Sequence, residues 1–308
     1  MKAEDKIISQ LQFAKEKGLL QSEITRRLNL SKSTVSEILS HLEEKRVIVR
    51  EEISQKSYRV WLVKYYPRVV EGIVRIGILK ASEYPKVVSA GEKVNAILRV
   101  YKNSIEATKD LVHGIVDIVA SPFVTQAFFG VLMKNIKIFR VVAMNGSGVA
   151  ISNGKGFGCS EFSTMERILR KYLKMKEIKE EIKFFDNPDE MISQISNLRG
   201  IAIWEPYFSM FEKVELFCDV IGDFVCCSLA VNENFLNKNR ELFDEFLKYY
   251  DKSSPRDGVK GLSEILGFSE ELIKKSLENY RFDFGIESLE KEAEELNFGR
   301  VQEILCFY

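Results

Sequence analysis

From Val74 onward the chain alternates short β-branched runs with amphipathic stretches, and this alternation restricts the fold more than any other feature of the sequence. VRIGIL (74–79), AILRVY (96–101), VDIVAS (116–121) and IKIFRVVAM (136–144) each read as a buried strand. Between them, residues 104–113 set Ile105, Thr108, Leu111 and Val112 on one helical face, and Pro122 opens a helix that runs to Met133. Strands and helices in this order predict an α/β sheet covered by helices on both faces. Ligands in such folds sit beyond the carboxyl ends of strands, where backbone amides and helix N-termini converge.

The second half repeats the theme with a different sequence. A short strand ends at 157–159, and Ser163 and Thr164 cap a helix that continues to Leu173. A strand (182–186), a helix (188–198) and the buried strand GIAIW (200–204) follow, the last leading into Glu205, Pro206 and Tyr207. GSGVAISNGKG lacks phosphate-loop spacing, because Val149 stands where the first glycine is needed, and it reads as a hairpin. DFVCCSLAVN (223–232) is an apolar strand expected to return to the first lobe, and helices are expected at 237–250, 263–266, 269–278 and 286–304.

The first 63 residues have another texture. A helix from about Glu4 to Lys17 presents Ile7, Ile8, Leu11 and Ala14 inward and stops at Gly18. In QSEITRRLNLSKSTVSEILSHL (21–42), a helix with Ile24 and Leu28 on one face meets Asn29 and Leu30, and Ser31 stands as the N-cap of a second helix. That second helix buries Val35, Ile38, Leu39 and Leu42 and turns Lys32, Ser33, Ser36, Glu37 and Ser40 outward. This is a helix-turn-helix, whose second helix suits a DNA major groove. VIVREEI and YRVWLV, separated by SQKS, then read as a hairpin wing.

Composition narrows the classes. The chain has 308 residues, 45% of them hydrophobic, and 45 basic against 45 acidic side chains, so it can bury a large core and any polyanion-binding surface must be local. Residues 1–62 hold 12 Lys and Arg against nine Asp and Glu, and Arg26, Arg27, Lys32, Arg50, Lys56 and Arg59 fall on the turn, second helix and wing. With Ser33, Thr34 and Ser36 they form the candidate DNA-binding set. The charged N-terminus is no signal peptide and no apolar run reaches membrane-spanning length, so a cytoplasmic protein with no membrane partner is expected. The five cysteines show no CxxC spacing and there are two histidines, so neither a metal nor another cofactor is expected. Cys226 and Cys227 are adjacent in an apolar strand, where alternation sends one to each face and gives them a packing role.

Helix, helix-turn-helix and hairpin in that order resemble the winged helix of MarR-like regulators. In the longer part, HGIVDIVASP, KIFRVVAMNGSGVAIS, FSTMERILRKYL and NPDEMISQISNLRGIAIWEPY occur in the order found in type 2 periplasmic binding proteins. The similarity is to the branch that serves nitrate, sulfonate and taurine importers and binds thiamine-precursor pyrimidines. The branch's helix end, a small residue and glycine before "vDia", is matched by His113, Gly114, Val116, Asp117, Ile118 and Val119, its "GST" turn by Phe162, Ser163 and Thr164, and its "WEP" by Trp204, Glu205 and Pro206. The resemblance covers residues 74–250. It departs in a short first helix (84–94) and in Phe162, which replaces the turn glycine.

The resemblance implies a multi-domain chain: an α+β winged helix-turn-helix (1–63), a linker (64–72) and a two-lobed α/β clamshell of the type 2 periplasmic-binding-protein kind (73–308). The candidate ligand-binding residues are Ser82, Tyr84, Ser121, Phe123, Asn145, Phe162, Ser163, Thr164, Trp204, Glu205 and Tyr207. The implied function is a one-component transcription regulator, a homodimer on double-stranded operator DNA, sensing a small-molecule effector such as a thiamine-precursor pyrimidine or small anion. Eukaryotic pyrimidine-precursor synthases share the fold but carry a cysteine cluster and a histidine not reproduced here, so no enzyme is expected. The competing readings are an enzyme of that metabolism with an accessory winged helix, and a scaffold whose winged helix docks on protein.

Overall fold

The computed structural model describes residues 2–282, 284–285, 287–297 and 299–306. The chain divides into two compact units, Met1–Val70 and Glu71–Tyr308.

The first unit runs α1 (Ala3–Ala14), β1 (Leu19–Leu20), α2 (Gln21–Leu28), α3 (Lys32–Glu44), β2 (Ile48–Ser54) and β3 (Ser57–Leu62), with the three strands ordered β1-β3-β2. Ile7 and Leu11 of α1, Ile24 of α2, Val35, Leu39 and Leu42 of α3, and Ile48, Val60 and Leu62 of the sheet form one core. Each such aliphatic side chain contributes about 1.5–3 kcal/mol when fully buried. The helix expected to run to Lys17 ends at Ala14, where Lys15 takes φ +48°, and Gly18 instead closes a 3-10 turn, Lys15–Lys17; its φ is +58°, and a Cβ there would meet the Trp61 ring at 2.6 Å. The indole nitrogen of Trp61 donates to the Glu16 carbonyl at 3.0 Å and fixes that approach. Asn29, at φ +51°, ends α2 in the left-handed region and turns the chain into α3.

The segment expected to be a linker is part of this unit. Tyr65 joins the core, and Tyr66 is buried edge-on against Trp61 with its hydroxyl donating to Glu51 at 2.5 Å. The boundary falls after Val70 because two aromatic side chains extend the apolar surface that the wing buries.

The second unit contains two sheets. Its elements are β4 (Arg75–Leu79), α4 (Pro85–Lys93), β5 (Ile97–Tyr101), α5 (Ser104–Val112), β6 (Ile118–Pro122), α6 (Phe123–Met133), β7 (Ile136–Asn145), β8 (Ser147–Ile151), β9 (Phe157–Cys159), α7 (Thr164–Met175), β10 (Ile182–Phe184), α8 (Pro188–Ser193), β11 (Gly200–Trp204), β12 (Val214–Leu216), α9 (Phe217–Ile221), β13 (Val225–Asn232), α10 (Glu233–Lys238), α11 (Arg240–Lys252), α12 (Val259–Leu266), α13 (Glu270–Ser276), β14 (Tyr280–Arg281) and α14 (Glu287–Leu296). The first lobe is the sheet β14-β7-β13-β6-β4-β5 and the second is β10-β9-β11-β8-β12. As expected, 223–232 returns to the first lobe, where β13 lies antiparallel between β6 and β7. The hairpin expected for 146–156 does not form, because β11 inserts between β8 and β9, antiparallel to one and parallel to the other. The helix expected at 237–250 starts earlier and breaks at Asn239, and that expected at 286–304 is α14 plus a 3-10 turn, Val301–Ile304; Ile286 and Phe298 lie outside the described residues.

A buried ion pair sets the register of the first lobe. Arg75 opens β4 and meets Asp117 just before β6 through a forked pair of bonds, Nε to Oδ2 at 2.9 Å and Nη2 to Oδ1 at 2.8 Å. The Arg75 amide donates to the same carboxylate at 2.8 Å, and Nη2 also reaches the Gly114 carbonyl at 2.7 Å. The pair is thus fully hydrogen-bonded, the condition under which a buried charge is tolerated.

Candidate functional site

In the first unit, α3 presents the expected surface. Ser31 caps it by accepting from the Thr34 amide at 3.1 Å, and its hydroxyl also lies 2.8 Å from those of Ser33 and Thr34. Lys32, Ser33 and Ser36 are exposed on the helix, Arg26 and Arg27 are exposed at the end of α2, and Lys56 is exposed at the wing tip with φ +63°. Arg27 also reaches Gln10 at 3.4 Å and lies 4.0 Å from Glu23.

Two members of the DNA-binding set are engaged inside the unit. Arg50 binds Glu43 through Nε at 2.7 Å and lies 3.4 Å from the Ser40 hydroxyl, so its guanidinium ties the wing to the back of α3. Arg59 donates to the Lys17 carbonyl at 3.0 Å. Arg50 lies on the helix-facing side of the wing with its cross-strand partner Val60, whereas Arg59 lies on the other face opposite Glu51 and is tied to the turn before β1, a placement that charge counting does not reveal.

In the second unit a cleft lies at the carboxyl ends of the strands. Its lining comes from β4 and the segment after it (Leu79, Ala81, Glu83), the start of α5 (Lys102, Asn103, Ser104), Pro122, Ser160, Met165, the approach to α8 (Asp186, Asn187), Trp204, and Cys226 and Cys227 of β13. The free volume at its base is about 30 Å³ within a recess of about 460 Å³. The base thus has room for one or two water molecules. Several bonds hold the lobes together around it: the Trp204 indole donates to the Lys80 carbonyl at 3.2 Å, the Thr164 hydroxyl to the Cys226 carbonyl at 3.0 Å, and the Thr125 hydroxyl to the Phe162 carbonyl at 2.6 Å.

Of the candidate ligand-binding residues, Trp204 lines this cleft and the others serve the frame. Ser121 is bound by the Gln126 amide at 3.0 Å and lies 3.4 Å from Thr108, in a buried network that also joins Gln126 to Ser228. Its position at a strand end is as expected, but its side chain faces α6. Phe123 is buried at the start of α6. Ser163 is the N-cap of α7, accepting from the Glu166 amide at 3.3 Å. Glu205 turns away from the cleft: one oxygen accepts from the Ser209 hydroxyl at 2.7 Å and from Asn279 at 2.5 Å, the other from the Ser209 amide at 3.1 Å. Burial pushes its carboxyl above the usual carboxylate range, against these hydrogen bonds. Tyr207 packs edge-on to Trp204 and Phe268 in the second lobe's core.

Ser82 donates its amide to the Glu205 carbonyl at 3.1 Å, a contact between lobes, and Tyr84 places its hydroxyl 3.5 Å from the Cys227 sulfur, behind the cleft. Phe162 holds φ +49°, the conformation that favours glycine at this turn, and its exposed ring meets Phe128 edge-on at 5.7 Å. Asn145, at φ +64°, sits where the chain leaves the first sheet for the second.

Sequence reasoning missed Glu83, Lys102, Asn103, Asp186 and Asn187, and misread the cysteine pair. Asn103 and Asn187 carry the signal of an N-cap before a helix, accepting from the Glu106 and Glu190 amides at 2.8 and 2.9 Å. Glu83 had no such signal. Its carboxylate is buried and accepts from the Cys227 thiol at 3.0 Å and the Tyr280 hydroxyl at 2.8 Å. The two cysteines do not alternate across the sheet. Register shifts in β13 between Val225 and Cys227 and between Cys227 and Ser228 put both sulfurs on the cleft side, 3.7 Å apart.

Among the described residues, no helix is long and apolar enough to cross a membrane. No curated protein matches the chain. Solved structures do, at low identity. The ligand-binding component of an ABC-type import system from Staphylococcus aureus, with zinc bound, is 18% identical with a TM-score of 0.64, covering 76% of this chain and 96% of its own. The alkanesulfonate-binding protein SsuA from Xanthomonas axonopodis pv. citri, bound to MOPS, is 10% identical with a TM-score of 0.61, covering 78% and 100%. The periplasmic nitrate-binding protein NrtA from Synechocystis PCC 6803 is 12% identical with a TM-score of 0.58, covering 71% and 74%. Residues 8–55 match the model of the MarR family, so this chain joins a winged helix similar to that family's to a two-lobed domain with the fold of type 2 periplasmic binding proteins.

Proposed function

We propose that this protein is a one-component transcription regulator, in which the winged helix binds operator DNA and the two-lobed domain senses a small effector. The observation that carries the reading is the joining, in one chain, of a MarR-family helix-turn-helix with exposed Arg26, Lys32, Ser36 and Lys56 to a closed, residue-lined cleft of a ligand-binding fold. The cleft walls differ in charge, with Lys102 on one side and Asp186 on the other, and Trp204 offers a flat face between apolar Leu79 and Met165. This chemistry suits a small planar or zwitterionic molecule carrying both an anionic and a donor group, which includes aminopyrimidines and amino-substituted sulfonates, and the lobes, with room now for one or two waters between them, must part further to admit it.

Control follows if the effector binds the closed lobes better than the open ones, since a ligand shifts an equilibrium only by its differential affinity. We place the protein on DNA as a homodimer, because two recognition helices read two half-sites. The reading assigns no turnover to the cleft, whose proposed task is binding.

The test is fluorescence anisotropy of labelled DNA from upstream of the protein's own gene, titrated at two salt concentrations with and without effectors found by thermal shift. Salt-dependent binding that changes with an effector supports the reading. Absence of DNA binding at low salt overturns its first half, and conversion of the effector into a product overturns its second. Light scattering that finds a monomer both free and on DNA overturns the dimer.

A further inference from the structure

We infer that Glu83, Cys226 and Cys227 form a binding site for a thiophilic d10 cation such as Zn²⁺, with its fourth coordination position open to the cleft. The inference concerns the cleft base alone and does not depend on the winged helix binding DNA.

The geometry is close to that of a tetrahedral site. With zinc–sulfur bonds of about 2.3 Å, two thiolates on one tetrahedral ion lie about 3.7 Å apart. The Cys226 and Cys227 sulfurs are 3.7 Å apart without an ion. A carboxylate oxygen at about 2.0 Å from the same ion would lie about 3.5 Å from each sulfur. Glu83 Oε1 is 3.0 Å from the Cys227 sulfur, and the sulfur and oxygen atoms of all three residues fall within 4.8 Å of one another. An opening of about half an ångström between Glu83 and Cys227, with Glu83 and Cys226, now within 4.8 Å, settling at about 3.5 Å, completes the triangle.

Two features show that the backbone arranges these groups. A regular strand would send adjacent cysteines to opposite faces, and the irregularity in β13 brings both to one side. Glu83 is also held from behind: the Tyr280 hydroxyl donates to Oε2 at 2.8 Å and leaves Oε1 facing the sulfurs. An outer hydrogen bond that orients a ligating carboxylate is a regular part of metal sites.

The donor set selects the ion. Two sulfurs and one oxygen favour a soft or borderline cation over Mg²⁺ or Ca²⁺, which take oxygen ligands. Binding releases the two thiol protons to solvent and leaves two thiolates and a carboxylate around a divalent ion. The surplus negative charge faces a cleft that also holds Lys102. Three protein ligands leave one position, which water or a nitrogen or oxygen of a cleft ligand fills.

The experiment uses the full chain, reduced, stripped with a chelator and titrated with Co²⁺ as a coloured stand-in for Zn²⁺. One equivalent should produce thiolate-to-cobalt charge-transfer absorption, which Zn²⁺ then displaces. Cys226→Ser with Cys227→Ser should abolish the band, and Tyr280→Phe should weaken affinity by about tenfold or more while leaving the band in place. Cys159→Ser and Cys218→Ser should change nothing. X-ray absorption at the zinc edge of the wild-type complex should count two sulfur neighbours, a reading that needs no variant to fold. A titration without a charge-transfer band, a band that survives the double substitution, or a zinc shell without sulfur each overturns the site, while leaving DNA binding to be judged on its own measurement.

Discussion

The Asn145 side chain donates to the Asp223 carboxylate at 2.8 Å and accepts from the Phe224 amide at 3.3 Å, and so clasps together the two segments that pass between the lobes. The Asn145 amide donates to the Phe224 carbonyl at 3.1 Å and completes the clasp. Asp223 is held in turn by Arg281, next to the Tyr280 that pairs with Asn145 in the sheet. A hinge built this way bends at a defined place, because residue 145 and Gly146 both sit at positive φ.

Asn145→Ala should therefore destabilise the second unit by about 1–3 kcal/mol, through two lost hydrogen bonds and a side chain less suited to φ +64°. Calorimetry should show a lower unfolding temperature, and small-angle scattering should show a larger radius. A variant with wild-type values in both would mean that the clasp carries no load.

On the winged helix, Lys56→Ala should weaken DNA binding on every sequence and lower the salt slope by about one. Arg50→Ala should behave differently, because Arg50 already binds Glu43: its main effect should be a lower melting temperature. Equal salt slopes for the two variants would contradict the division between a free wing tip and a tethered wing base.

Asp117→Ala removes the carboxylate that accepts from Arg75 Nε and Nη2, leaves the buried guanidinium without its ion pair, and should cost about 3–5 kcal/mol. Chemical denaturation measures this directly. A cost below about 1 kcal/mol would mean that water reaches the arginine.

For Glu205 the sign of the pH effect follows from burial. Its carboxyl keeps its proton to higher pH in the folded protein than in the unfolded chain. Between the ordinary carboxylate value, 4.5, and the raised one, the folded state thus binds more protons, and stability falls as pH rises through that window. Glu205→Gln removes this dependence. Whatever its fixed cost at the Ser209 contacts, the variant should gain on the wild type as pH increases above about 4.5, and parallel denaturation curves across that range would refute the assignment.

The fold was more legible in the sequence than the site was. Strand and helix signals at 74–144 and 200–204 depend on periodicity, which a single sequence carries. Asp117 is read as part of the strand 116–121, whereas the strand starts at Ile118 and Asp117 stands just before it, where its carboxylate meets Arg75. The site depends on which way individual side chains turn, and periodicity is silent there. Ser121 and Glu205 occupy strand ends as expected, yet Gln126 and Asn279 draw them into the frame. Cys226 and Cys227 were misread because alternation assumes a regular strand, and β13 is shifted in register at that pair. Glu83 lies in a segment without a repeat, and its partner Tyr280 is 197 positions away.

The placement of β13 has a consequence for synthesis on the ribosome. The strand lies between β6 and β7, so the centre of the first lobe's sheet stays open until residue 232 has emerged, after the whole second lobe, and the edge strand β14 follows only at residue 281. The winged helix draws its core from residues 7–65 alone and can fold long before that. A message broken, or translation halted, upstream of Val225 would release a finished winged helix with an unfinished two-lobed unit, a fragment that on the proposed function would occupy an operator while deaf to the effector.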